Sequence, residues 1–121
     1  MIDHIMIHTT FVEEAKEFYS TALAPLEYDL IWEMQSWLGF GRDGRPDFLL
    51  KGGAKNTPPV HVAFRAESRL MVRNFYNAAI AAGAKDNGPP GVRQDYHPNY
   101  YAAYILDPDG NNIEAVCHEP E

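Results

Sequence analysis

The period of the apolar positions changes along the chain, and each change marks an element. Residues 2–9 alternate in the period-2 manner of a strand. Phe11, Ala15, Phe18, Tyr19 and Ala22 then recur at helical spacing, which predicts a helix over about 11–23. Thr10, with Glu13 three residues on, reads as a capping box at its start. Pro25 ends it, because the residue before a proline avoids the helical region. Three strand-like runs follow at 28–33, 37–41 and 47–51, the last two joined by the turn Arg42-Asp43-Gly44-Arg45-Pro46. The first half therefore reads β-α-β-β-β. A strand at 60–66 opens the second half. Ser68 caps a helix to about Ala82, and Gly83 closes it. A loop is expected over 88–98, around Pro89-Pro90-Gly91, then a strand at 100–106. The turn Asp107-Pro108-Asp109-Gly110 and a last strand at 112–118 complete a second β-α-β-β-β unit with a longer loop before its third strand.

The two halves repeat one another. Asp3-His4-Ile5-Met6-Ile7 resembles Val60-His61-Val62-Ala63-Phe64. His4 and His61, Phe18 and Phe75, Tyr19 and Tyr76, and Asp29 and Asp86 all stand 57 positions apart. A duplication bears on the whole fold, and two copies of one unit can place two histidines symmetrically about a shared cleft, which is one way to build a metal site. The Gly- and Pro-rich stretch 52–59 is read as a linker between units 1–54 and 58–118 of a single domain, since neither half is large enough for a good core alone.

Composition narrows the function. The chain has 121 residues, 45% hydrophobic and 22% charged, with a net charge of −7. An acidic chain without a basic cluster argues against nucleic acid, whose phosphates need Lys or Arg. No apolar run approaches the roughly 20 residues of a membrane span, so no membrane partner is expected. The first residues lack the basic and apolar regions of a signal peptide. The lone cysteine, Cys117, has no partner for a disulfide, and a reducing, cytoplasmic setting is the simplest reading. Alternation points Cys117 away from Glu114, into the core.

Two β-α-β-β-β units, a histidine on the first strand of each, and Asp107-Pro108-Asp109-Gly110-Asn111-Asn112-Ile113-Glu114 resemble the vicinal oxygen chelate superfamily of glyoxalases, bleomycin resistance proteins and extradiol dioxygenases. The resemblance covers nearly the whole chain. It implies an α+β fold of curled mixed sheets around a cleft, with metal ligands on the first and last strand of each unit. His4, His61 and Glu114 are the residues that fill those positions. Leu49 stands at the fourth, so the four-protein-ligand pattern is broken, and Asp47 is the nearest substitute. Two imidazoles and a carboxylate suit a divalent metal ion (Fe, Mn, Zn or Ni) with open positions for a substrate's adjacent oxygens. His8 lies on the same face as His4 but about 13 Å along the strand at ~3.3 Å per residue, too far to share the ion.

The order His97, Tyr104, Glu114 resembles the signature of extradiol dioxygenases, with Tyr104 ten positions before Glu114 and His97 seven before Tyr104. The resemblance implies His97 as acid/base and Tyr104 as donor to a bound substrate oxygen. The competing reading makes the tyrosines strand residues chosen for packing and puts His97 in a solvated loop. Trp32, Trp37 and Phe40 are core residues or the wall of an aromatic cavity, and Arg93 is exposed or an anchor for an anionic group. The expected function is a divalent-metal-dependent lyase, isomerase or extradiol-type dioxygenase acting on a small-molecule substrate, and the resemblance allows a homodimer. The alternative is a metal-free small-molecule binder of the bleomycin resistance kind.

Overall fold

A computed structural model describes residues 1–121. The first unit comprises β1 (Ile5–Thr9), α1 (Val12–Ala22), a 3-10 turn (Ala24–Leu26), β2 (Asp29–Met34), β3 (Trp37–Arg42) and β4 (Arg45–Gly52). The second comprises β5 (His61–Arg65), α2 (Arg69–Ala81), β6 (Lys85–Val92), β7 (Tyr101–Leu106) and β8 (Asn112–Cys117). The fold is α+β: two four-stranded sheets, ordered β1-β4-β3-β2 and β5-β8-β7-β6. In each, the first strand pairs parallel to the last and the other pairs are antiparallel. No helix is long and apolar enough to cross a membrane.

Both helices form because one stripe of each is apolar. α1 buries Ala15, Phe18, Tyr19 and Ala22, and α2 buries Val72, Phe75 and Ala79. These stripes lie on Ile7, Phe40, Phe48 and Leu50 of the first sheet and Phe64, Ile105 and Ile113 of the second, within one cluster of 21 buried residues. Phe48 and Phe64 join the units directly, edge to face with centroids 5.1 Å apart. Each such buried side chain contributes about 1.5–3 kcal/mol. Cys117 is buried among them and Phe40 is fully buried, whereas Trp32 and Trp37 are half-buried.

Three local expectations are corrected. First, α1 has no capping box: its N-cap is Phe11, without a side-chain bond. The Thr10 amide and hydroxyl are instead taken by Asp109 of the β7–β8 turn. Second, the stretch expected to be a loop from 88 continues a strand, β6, as far as Val92. It is an edge strand with register shifts around Gly88, where prolines remove no needed ladder bond. Third, the opening strand starts at Ile5 rather than near Ile2. Other signals act as read. Ser68 Oγ accepts from the Met71 amide at 3.2 Å. Gly83, at φ 103°, closes α2 with Ala84 N–H to Ala79 O and Gly83 N–H to Ile80 O, a Schellman arrangement.

The Asp107-Pro108-Asp109-Gly110 turn ties the units. Asp107 accepts from the Tyr19 hydroxyl, the Asp109 and Asn111 amides and Asn111 Nδ2, and Asp109 also holds the Thr9 hydroxyl at 2.6 Å. In the linker, Asn56 exchanges two bonds with the His8 backbone and donates to Asn111.

With the core on one face of each sheet, strand alternation sends the other residues to the opposite face. Met6 and His8 lie there in the first unit, with His4 just ahead of β1, and His61, Ala63, Arg65 and Glu114 in the second. His4, Met6, His61, Ala63 and Arg65 are exposed, so both faces stay open.

Candidate functional site

The register reproduces the repeat at the level of atoms. Met6 pairs with Leu49 in the first sheet and Ala63 with Glu114 in the second, with Met6 and Ala63 again 57 positions apart. Glu114 and Leu49 are therefore equivalent, and so are His61 and His4. A duplicated scaffold carries a carboxylate in one copy and a hydrocarbon in the other.

The polar groups gather on the second sheet. Glu114 is a buried carboxylate, its side chain 2% exposed, while the His61 side chain is 53% exposed. His61 Nε2 meets Glu114 Oε1 at 2.8 Å. The second oxygen, Oε2, accepts from the Tyr100 hydroxyl at 2.5 Å. Burial, then the bond to Glu114 and its charge, push the Tyr100 phenol well up, so it stays a donor. A buried carboxylate is tolerable only when paired in this way.

Tyr104 is the cross-strand partner of Glu114. Its ring lies 6.3 Å from that of His61, and burial followed by the Glu114 charge raises its pKa, with Arg93 acting the other way. The hydroxyl that reaches Glu114 belongs to Tyr100, not to Tyr104. The sequence pattern gives position 100 only as the start of the strand expected at 100–106. Its position, at the end of the loop facing the Glu114 strand, needs the loop's path to be known.

His97 lies half-buried in the Arg93–Tyr100 loop. Its Nδ1 accepts from the Asn99 amide at 3.0 Å and its Nε2 meets His118 Nδ1 at 2.9 Å. The imidazoles are centred 5.2 Å apart, the spacing of rings meeting nitrogen to nitrogen. The accepting Nδ1 assigns the proton to Nε2, so His97 donates to His118. The Tyr100 ring packs against both, at 5.4 and 5.3 Å. His118 was not among the sequence candidates. It follows the last strand by one residue, and nothing in spacing marks it.

His4 stands apart. Its Nδ1 meets Asp3 at 2.6 Å, and no three His, Cys, Asp or Glu side chains converge on a common point. The structure thus brings His61 and Glu114 together and leaves His4 on the other unit's open face. Asp47, the substitute fourth ligand, accepts from the Tyr28 hydroxyl at 2.9 Å. Asn112, the register partner of His61, has a buried side-chain oxygen with no donor.

Comparison with known proteins returns one family and many structures. A family model described as the Glyoxalase/Bleomycin resistance protein/Dioxygenase superfamily matches residues 1–115. A glyoxalase/bleomycin resistance protein from Albidiferax ferrireducens T118 is 27% identical, with a TM-score of 0.83 over 95% of this chain and 97% of that one. A glyoxalase/bleomycin resistance protein/dioxygenase family enzyme from Burkholderia phytofirmans PsJN is 19% identical, with a TM-score of 0.73 over 98% of each chain. A glyoxalase-related enzyme from Fulvimarina pelagi is 17% identical, with a TM-score of 0.72 over 97% of this chain and 87% of that one. The last two likenesses show the fold alone. No curated protein matches the sequence.

Proposed function

The chain belongs to the glyoxalase/bleomycin resistance protein/dioxygenase superfamily, and from that premise we propose that it is a divalent-metal-dependent enzyme acting on a small substrate that chelates the metal through adjacent oxygens. The observation that carries this reading is the pair His61 Nε2 and Glu114 Oε1, facing each other at 2.8 Å on an open sheet face. An imidazole nitrogen and a carboxylate oxygen suit Fe(II), Mn(II), Zn(II) or Ni(II). Tyr100 holds the other carboxylate oxygen, the kind of support that orients a metal-binding carboxylate.

Two ligands are too few, and one chain supplies no third within reach. His4, at the equivalent place of the first unit, completes the set when the first unit of one chain faces the second unit of its partner. The reading is therefore of a homodimer with the site shared between copies. A bound cation would act as a Lewis acid on the substrate's oxygens. The chain's own groups supply the rest. Tyr104 donates to a developing oxyanion. His97 is the acid/base group, and because both its nitrogens are engaged, its proton moves through His118. Lyase, isomerase and extradiol oxygenase chemistry all fit this set.

The second reading, a metal-free binder, is favoured by one observation: His4 Nδ1 is already engaged by Asp3 at 2.6 Å. Elemental analysis and sedimentation separate the two. The enzyme reading expects a dimer binding one equivalent of divalent metal per chain, lost in His4→Ala, His61→Ala and Glu114→Gln. A monomer, or metal retained in full by His61→Ala, overturns it.

A further inference from the structure

Arg93 is the one cation built into the site face rather than merely left on it. Its backbone amide is fixed to Tyr100 O at 2.7 Å. Its guanidinium lies over the Tyr104 ring, 5.2 Å from the centroid, and Nη2 donates to Pro89 O at 2.7 Å. Both contacts need missing side chains on β6. A Cβ at Gly88 would stand 3.2 Å from Nη2 and 2.8 Å from Tyr104 Cδ1, and one at Gly91 would stand 3.0 Å from Nη1. Gly88, at φ 146°, also holds a backbone that other residues rarely adopt.

In an acidic chain, a positioned arginine would be expected to find a carboxylate. Arg42 has two, Glu27 and Glu67, but no acidic side chain lies within ion-pair distance of Arg93. Four of its five N–H donors remain without a protein acceptor. The Tyr104 ring that seats it also neighbours His61. Arg65, on the same face of β5, is exposed and makes no side-chain hydrogen bond.

We propose that Arg93 anchors a carboxylate of the substrate, so that the site takes a small anionic compound whose adjacent oxygens face His61 and Glu114 while its carboxylate meets the guanidinium. The inference deepens the metal-enzyme reading and rests on it for the chelating end only. The planar fork of donors matches a carboxylate in pairs, and the glycine cradle fixes it before the ligand arrives.

The test is calorimetric binding of protocatechuate, a catechol bearing a carboxylate, against its neutral amide, with zinc-loaded protein. The expected result is a preference of about tenfold for the acid, from one charge-assisted contact at a half-exposed site. Arg93→Gln should bind both probes alike, and Arg93→Lys should keep part of the preference. Because Arg93→Gln could disturb the loop, wild type is also measured at about 1 M salt, where the screening length is about 3 Å and the preference should shrink. Equal binding of the probes by wild type, a preference unmoved by Arg93→Gln or by salt, or no binding at millimolar concentration overturns the proposal. If each probe binds as well without zinc as with it while Arg93 still sets their ratio, the metal reading fails and the anchor stands.

Discussion

Replacing Asp107 by asparagine tests the polar tie between the units. Asp107 is 6% exposed. Its Oδ1 accepts from the amides of Asp109 and Asn111 at 3.0 and 2.8 Å, and Oδ2 accepts from the Tyr19 hydroxyl and Asn111 Nδ2, the latter at 3.0 Å. Asparagine keeps the shape and Oδ1, but an amide nitrogen takes the place of Oδ2. The Tyr19 hydroxyl can turn to accept from it. Asn111 Nδ2 cannot, so one charge-assisted bond, worth roughly 1.5–3 kcal/mol, becomes a meeting of two donors. The backbone bonds weaken as their acceptor loses its charge, and relief of a buried charge offsets part of this. The expected loss is about 2–3 kcal/mol, or a urea midpoint lower by about 1–2 M at a slope of about 1.5 kcal/mol/M. Urea unfolding followed by circular dichroism reads it. Tyr19→Phe alone should cost about 1–2 kcal/mol, and the double variant should fall short of the sum by about 1 kcal/mol, because Asp107→Asn already reduces the charge-assisted Tyr19 bond to a neutral one. A loss under about 0.5 kcal/mol for Asp107→Asn, or full additivity, refutes the tie.

Tyr100→Phe leaves one oxygen of buried Glu114 without its donor. It should weaken divalent-metal binding by about 10–100-fold in a chelator competition, while unbound protein loses about 1–3 kcal/mol of stability. Gly41→Ala should destabilise strongly in thermal melts, since its Cβ would sit 1.9 Å from Arg45 O. Alkaline pH should unfold the protein through its phenols. Burial and the Asp47 bond push Tyr28 from 10.0 up to about 12, and Tyr19, Tyr76, Tyr100 and Tyr104 move the same way. A phenol held protonated by the fold stabilises it fully below its unfolded value and loses that contribution as pH rises to the folded one. Stability measured against pH should therefore begin to fall above about 10, and Tyr28→Phe should flatten part of the fall up to about 12.

The fold was legible because its signals are periodic and doubled. The 57-residue step between His4 and His61 carried over to the pairing of Met6 with Leu49 and of Ala63 with Glu114. Failures came where a distant partner outbid a local one. Thr10 had a helix start beside it, but Asp109, 99 positions away, took its hydroxyl. Gly88 to Gly91 carries the composition of a loop, yet pairing with β7 at an edge makes it a strand. In the candidate site, His61 and Glu114 were readable from the repeat and the family resemblance. The roles of Tyr100, His118 and Arg93 depend on how one loop folds back over β6 and β8, and no spacing along the chain encodes that.

If the dimer forms as proposed, a core shared by both units, with both outer faces left open, would give every chain two unlike half-sites. In the proposed dimer, the front half of one copy serves the rear half of the other. Mix a chain damaged only at His4 with one damaged only at Glu114, and each pure population is dead. The mixed dimer concentrates both lesions in one site and restores the other, so two inactive preparations should recover function on subunit exchange.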